Sequence, residues 1–229
     1  MNARQMMVVV GMLVAGLLMA MPAHAALFEE TFDSYTVKEN YWPTASDSWI
    51  SETDGAVFSI VNNVAVEGNS VKLESMEQRL YHEFERQTSG VFSASWYMRN
   101  NSSGYRGVTV CLADDWTNRG TYVTMHEDGN LQYNDGAWKT LTTYASKEWV
   151  KVQVVVDMDA KNYDILVNDV VLATDVGFNK SGVTGISRIY LDNSGPATNW
   201  VDQISIVPEP TILSMLAIGG LGVLIRRRK

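Results

Sequence analysis

Between Leu27 and Ile206 apolar and polar residues alternate in short runs, and apolar positions almost nowhere recur at helical spacing. In Trp149-Val150-Lys151-Val152-Gln153-Val154-Val155-Val156 the valines at 150, 152, 154 and 156 share one side, while Lys151 and Gln153 share the other with Trp149 and Val155. That is a strand with one buried face. Asp157-Met158-Asp159-Ala160-Lys161-Asn162 then reads as a turn, and Tyr163 to Leu172 as a hairpin continuing into a third short strand. Similar patterning predicts strands over Leu27–Phe32, Ala56–Ile60, Ser70–Glu74, Arg79–Phe84, Val91–Arg99, Gly107–Ala113 and Thr121–His126. Others are predicted over Leu131–Tyr133, Glu148–Asp157, Tyr163–Asn168, Val170–Ala173, Ile186–Leu191 and Trp200–Ile206. Asp54-Gly55, Asp128-Gly129, Asp135-Gly136 and Asn168-Asp169 supply turns between them. So many short strands with this punctuation predict an all-β fold, a two-sheet antiparallel sandwich.

The two ends follow a different pattern. Met1 to Ala25 carries one positive charge at Arg4, an apolar run from about Met6 to Met21, and Ala23-His24-Ala25. These are the parts of a secretory signal helix with a small-residue cleavage site, and place the start of the mature chain at Ala26. At the other end, Val207-Pro208-Glu209-Pro210 precedes an uncharged, mostly apolar run from Thr211 to Ile225 and a terminal Arg226-Arg227-Arg228-Lys229. As a helix that run reaches roughly 22 Å, short of a hydrocarbon core of roughly 30 Å. It is a short transmembrane helix at most, with its basic end held on the cytoplasmic side. Pro208 and Pro210, lacking backbone donors, are expected to separate the folded domain from this helix.

Pro208, Glu209 and Pro210, the glycine-containing helix and the cluster of Arg226, Arg227 and Arg228 resemble, in order, the PEP-CTERM sorting tail of Gram-negative bacteria. The resemblance covers the last 23 residues. It implies an exosortase as processing partner, passage through the inner membrane, and a destination at the cell surface or in an extracellular polysaccharide matrix.

Composition narrows the partners of the central domain. Removing Arg4 and the four terminal basic residues from the 18 Lys and Arg leaves 13, and removing Glu209 from the 26 acids leaves 25, a net of −12 for residues 26–206. Such a surface argues against nucleic acid or anionic lipid and tolerates neutral glycans, basic ligands or cations. Cys111 has no second cysteine to pair with, so the core must supply the stability.

The strand pattern, with Asn69 to Leu73 upstream, Gly90 to Ser95 in the middle and Trp200 to Ile206 at the end, resembles a LamG-like, concanavalin A-like jelly roll. That superfamily includes lectins, hydrolases, lyases and adhesion modules, so the resemblance implies a fold and leaves the activity open. The paired-carboxylate strand motif of its laminarinase-type hydrolases is absent: His82-Glu83-Phe84-Glu85 puts two Glu on one face without the Asp-containing spacer. Of the two histidines left in the mature domain, His82 is in phase with Leu80 and Phe84 and is expected to point inward, and neither it nor His126 sits in a lyase-like constellation. Asp157, Asp159 and Asn162 open like a calcium loop but lack the glycine and the closing Glu, so a plain turn explains them. Jelly rolls of this type can carry a structural calcium where the first and last strands meet; Glu30, Asp33 and Asp202 are the candidate ligands here. Glycan binding requires exposed rings for the apolar faces of sugars. Trp116, Tyr105 and Trp138, in or beside turns, are the candidates, whereas Trp96, Trp149 and Trp200 in strands are accounted for by packing.

The reading is an exported, surface-sorted β-sandwich spanning residues 26–206, non-catalytic, with a glycan-binding or structural role. The alternative is a glycan-cleaving hydrolase or lyase with an unfamiliar site.

Overall fold

The computed structural model describes residues 25–41, 48–52, 58–74, 78–102 and 104–209. The signal segment through Ala23, and the tail from Pro210 through Arg226, Arg227 and Arg228 with its expected helix, lie outside these residues. Among the described residues there is no helix, and the chain runs through strands in the order β1 (Phe28–Glu30), β2 (Lys38–Tyr41), β3 (Trp49–Ser51), β4 (Phe58–Val61), β5 (Ser70–Leu73), β6 (Gln78–Gln87), β7 (Val91–Asn100), β8 (Val108–Asp115) and β9 (Asn118–Arg119). It continues through β10 (Val123–Met125), β11 (Asn130–Asn134), β12 (Trp138–Thr143), β13 (Val150–Asp157), β14 (Asn162–Val167), β15 (Val170–Gly177), β16 (Ile186–Asn193) and β17 (Asn199–Pro208).

Two antiparallel sheets result. One has the order β15-β14-β13-β7-β17-β5-β4-β2, with β1 also on β17; the other has the order β12-β11-β10-β8-β16-β6-β3, with β9 on β8. Val150, Val152, Val154 and Val156 are buried as the alternation requires, beside Phe92, Ala94, Trp96 and Met98 of β7. The second sheet contributes Leu80, Val108, Val110, Leu112, Ile189 and Leu191 to the same core. Each such side chain, fully removed from water, stabilises the fold by about 1.5–3 kcal/mol. Asn168 and Asp169, both at positive φ, close the β14–β15 hairpin as a two-residue turn.

Four strands escape the sequence pattern: β2, β3, β9 and β12. Three of them have three or four residues or fewer, too short to show a period. β12 is an edge strand with largely exposed side chains, so no buried face imposes alternation on Trp138-Lys139-Thr140-Leu141-Thr142-Thr143. Trp138, expected in or beside a turn, therefore opens a strand.

The domain does not end at Ile206. β17 continues through Val207 and Pro208, opposite Ser93 and Phe92, and the Glu209 N–H donates to the Val91 carbonyl at 3.0 Å. Pro208 is tolerated because hydrogen-bonded positions alternate along an antiparallel pair. With Glu209 bonded to β7, Pro208 falls on the non-bonded position, and on its other flank β1 has already finished where Leu27 N–H meets the Ile206 carbonyl at 2.8 Å. The last strand thus runs through the first residues of the stretch expected to separate domain and tail.

His82 points inward as expected. Its ring stacks on Phe28 at 4.0 Å between centroids and meets the edge of Trp49 at 5.6 Å, with Nδ1 buried and without a hydrogen-bond partner among the described residues. Burial lowers its pKa, with Glu83 acting in the opposite direction. A histidine whose folded pKa lies below its unfolded one loses stability for the protein as pH falls through the unfolded pKa of about 6.5, because the unfolded chain takes the proton more readily. His82→Phe, which keeps the stack and cannot titrate, is expected to lose less stability than the parent between pH 7.5 and 5.5 in denaturant melts; equal losses would show that His82 does not carry the effect.

Candidate functional site

The face of the second sheet turned away from the core is built by register. β16 lies antiparallel to β6 with Arg188 opposite Glu83, Tyr190 opposite Tyr81 and Asp192 opposite Arg79. These alternate with Ile189, Leu191, Leu80 and His82, so the row projects outward when the apolar partners project inward. The pairs are chemically matched. Arg188 places Nη2 2.8 Å from Glu83 Oε1, the Tyr81 and Tyr190 rings lie 5.3 Å apart, and Arg79 Nε approaches Asp192 Oδ1 at 3.4 Å while its Nη1 reaches Glu52 Oε2 at 3.1 Å.

On the other side of β16, the same three residues face Ala113, Cys111 and Thr109 of β8. Small side chains there leave room beside the row of large ones, and the space is filled from above by rings. Trp116 meets Tyr190 edge-on at 5.5 Å and Tyr122 at 6.4 Å; Tyr122 meets Trp138 edge-on at 5.4 Å. Arg79 lies 3.5 Å above the Trp116 ring, and Arg119 lies 4.8 Å from Trp116 and 5.2 Å from Tyr122. Arg106 stands 5.8 Å from Trp138.

The turn that carries Trp116 is held by Asp115. Its carboxylate accepts hydrogen bonds from the hydroxyl and N–H of Thr117 and from the N–H and side-chain amide of Asn118, at 2.5–2.9 Å. These donors, Thr117 first, pull the Asp115 pKa down to about 2. Arg119 donates Nη1 to the Trp116 carbonyl at 2.7 Å and Nε to Asn179 at 3.1 Å, and Asn179 is itself bonded to Asn134 at 2.7 Å. The ring is therefore positioned by backbone and side-chain hydrogen bonds at once.

Burial pushes the Tyr190 phenol up to about 12, so it remains protonated at neutral pH. It donates to Glu52 and accepts from Arg188, each at 3.3 Å. Glu52, Glu83 and Asp192 are all engaged with arginines, an arrangement suited to fixing a surface in place and poorly suited to proton transfer. Cys111 lies fully buried at the base of this layer, where burial raises its thiol pKa.

Of the residues expected to bind glycan, Trp116 and Trp138 come together through Tyr122, which the loop-based reading did not include. Trp138 is 44% exposed and accessible, while Trp116 is half-covered by arginine. Tyr105 is exposed next to Arg106, and its ring joins no aromatic pair among the described residues. Tyr81, Tyr190, Arg79 and Arg188 went unnoticed, although Arg79-x-Tyr81-x-Glu83 and Arg188-x-Tyr190-x-Asp192 carry the outward phase in plain period-two spacing.

The expected calcium ligands each accept hydrogen bonds from the chain itself. Glu30 accepts the Phe32 N–H at 2.7 Å and the Trp49 indole at 3.2 Å, a structural tie near the start of the chain. Asp33 accepts the Asn69 N–H, and Asp202 accepts those of Val66 and Gln203, each at 2.7 Å. Both thus secure the segment between β4 and β5, where Gly68 at positive φ packs directly against the Asp33 carboxylate. Burial pushes the Asp202 pKa up to about 6 against these backbone donors, with Asp33 adding repulsion. Among the described residues no group of three or more His, Cys, Asp or Glu is placed to hold a metal ion.

The protein is a concanavalin A-like jelly-roll sandwich with a layered aromatic and guanidinium face. Residues 59–198 match the family described as the sialidase-like CBM domain, to which the chain belongs. Residues 207–229 match the PEP-CTERM protein-sorting motif, which marks the protein for export and exosortase processing. No curated protein matches the sequence. Among solved structures, the chain resembles a sialidase at TM-score 0.63 and 12% identity over 81% of this chain and 19% of that one, so it spans about a fifth of that protein. It also resembles the T. cruzi calreticulin globular domain, at TM-score 0.56 and 10% identity over 84% and 92% of the two chains. A third likeness is to the catalytic domain of a glycoside hydrolase family 131 protein from Coprinopsis cinerea, at TM-score 0.55 and 12% identity over 81% and 95%. At these identities the likenesses concern the fold.

Arg79→Met removes the ion-paired cation of the buried Asp192, leaving only the more distant Arg106, and is expected to cost about 1–3 kcal/mol in chemical denaturation. Arg106→Gln, which breaks no hydrogen bond among the described residues, should stay within about 0.5 kcal/mol of the parent. Equal effects would refute the assignment of Arg79 as the structural cation of this face.

Proposed function

We propose that the protein is a non-catalytic glycan-binding domain exported to the cell surface or extracellular matrix, and that it binds sugar on the outward face of β12-β11-β10-β8-β16-β6-β3. The observation that carries this reading is the ring row Trp116–Tyr122–Trp138, fixed from below by the paired side chains of β6 and β16 and open to solvent at Trp138. Aromatic faces meet the C–H surfaces of a pyranose, and adjacent guanidiniums, amides and hydroxyls supply the polar edge contacts that orient it. The family match to a CBM domain and the sorting motif support the same assignment. In this reading the chain passes the inner membrane, is trimmed by an exosortase, and then holds or decorates extracellular polysaccharide.

Trp138 is the clean probe, because Trp116 is packed under Arg79 and its loss would disturb the fold as well as any ligand. Trp138→Ala should weaken polysaccharide retention in affinity electrophoresis by about 3- to 10-fold, the range expected for one stacking ring, with an unchanged melting temperature. Unaltered retention would remove this face as the binding site. The same samples, assayed for reducing ends and unsaturated products, should show no cleavage; turnover lost in Trp138→Ala would favour the enzyme instead.

A further inference from the structure

Residues 26–206 carry a net of −12, and the outward face described above holds four arginines, Arg79, Arg106, Arg119 and Arg188, beside the carboxylates Glu52, Glu83, Asp115 and Asp192. The carboxylates are already engaged: Arg79 bridges Glu52 and Asp192, Arg188 pairs with Glu83, and Asp115 accepts from Thr117 and Asn118. That leaves Arg119 and Arg106 in no direct ion pair among the described residues, with Arg106 acting on Asp192 only from a distance, in a domain where acids outnumber bases almost two to one. Arg119 is not a loose surface cation, and Arg106 is carried on a fixed backbone. Arg119 is fixed by Asn179 and the Trp116 carbonyl, with Nη2 making no hydrogen bond among the described residues. Arg106 has a fixed backbone: the preceding carbonyl, of Tyr105, accepts Asn100 Nδ2 at 3.2 Å, and Gly195 packs against the Arg106 carbonyl too closely to admit a Cβ.

The placement of the two is the informative part. Arg119 lies by Trp116 and Tyr122 at one end of the ring row, and Arg106 by Trp138 at the other, with centroid steps of 6.4 and 5.4 Å between the rings. A row of three rings with a guanidinium at each end is longer than one sugar ring, so it suits consecutive units of a chain. A guanidinium presents a planar fork matched to a carboxylate. Resting on the proposed glycan-binding role, we infer that the ligand is an acidic polysaccharide bound along its length, with uronate carboxylates meeting Arg119 and Arg106 while a sugar ring lies over Trp138 and the chain runs along the edges of Tyr122 and Trp116. The positive ends of the row also offset the repulsion between a polyanion and an acidic protein, which confines binding to this face.

The test uses the exported protein in affinity electrophoresis and calorimetry with alginate, polygalacturonate and hyaluronan, each beside its carboxyl-reduced neutral form, and with dextran sulfate. At least one polyuronate should bind 10-fold or more tightly than its reduced form, and that preference should shrink as salt is raised. Arg106→Gln and Arg119→Gln should each weaken binding of the polyuronate several-fold more than binding of its reduced form. Arg106→Gln serves as the decisive variant if Arg119→Gln fails to fold. Equal binding of acidic and reduced forms, or a preference untouched by Arg106→Gln, would overturn the acidic-ligand inference and leave glycan binding standing. Dextran sulfate bound as tightly as the best polyuronate would overturn the carboxylate assignment. Retention of none of these polymers, acidic or reduced, would overturn this inference and count against the proposed function together with it.

Discussion

Most of what is distinctive about this molecule depends on the register of one strand. β16 lies between β6 and β8, and the alternation that sends Ile189 and Leu191 into the core also sends Arg188, Tyr190 and Asp192 outward. A slip of one residue would exchange the two sets, burying an arginine and an aspartate while exposing isoleucine and leucine. The hydrophobic effect therefore fixes a polar surface it does not itself touch. The small residues of β8 next to that row provide the space in which Trp116 and Tyr122 can lie.

Electrostatics are arranged in two tiers on this face. Arg79 and Arg188 are matched to acids and set geometry: Arg79 stands over Trp116, and Arg188 joins Glu83 to Tyr190. Arg119 and Arg106 are matched to rings. The difference is visible in what surrounds each group and does not follow from residue type. The net charge of an acidic chain says little about the sign of any one patch, because ion pairs cancel locally and leave the remainder wherever the fold puts it.

Much of the architecture was legible in the sequence because a half-buried strand writes its two faces into alternate positions. β13 and the hairpin after it were readable residue by residue, and His82 was correctly assigned to the inner phase of β6. The binding face was less legible for two reasons. Rings in loops were weighed as ligand contacts and rings in strands as core, yet a strand has an outward side, and Tyr81 and Tyr190 occupy it. The pairing of Arg188 with Glu83 spans 105 residues, and Tyr190 reaches Glu52 across 138. Nothing in local spacing encodes such distances. The same limit applies to Glu30, Asp33 and Asp202, acids near the first and last strands whose backbone and indole donors could not be read from local spacing. Pro208 misled differently: proline argues against a strand interior, but the alternation of bonded positions leaves it a place at the end of one.

β17 carries a mechanical consequence. The sorting motif begins inside this strand, with Val207 and Pro208 registered on β7 and the Glu209 N–H bonded to Val91, while β1 flanks the residues just before. Tension applied through the tail would act along the strand axis and load the ladders to β7 and β1 together in shear, so that several hydrogen bonds must yield at once. A hairpin at a sheet edge pulled from its end would instead unzip one bond at a time. The tail is thus tethered through a strand in the middle of a sheet, where the fold is best able to bear a pull.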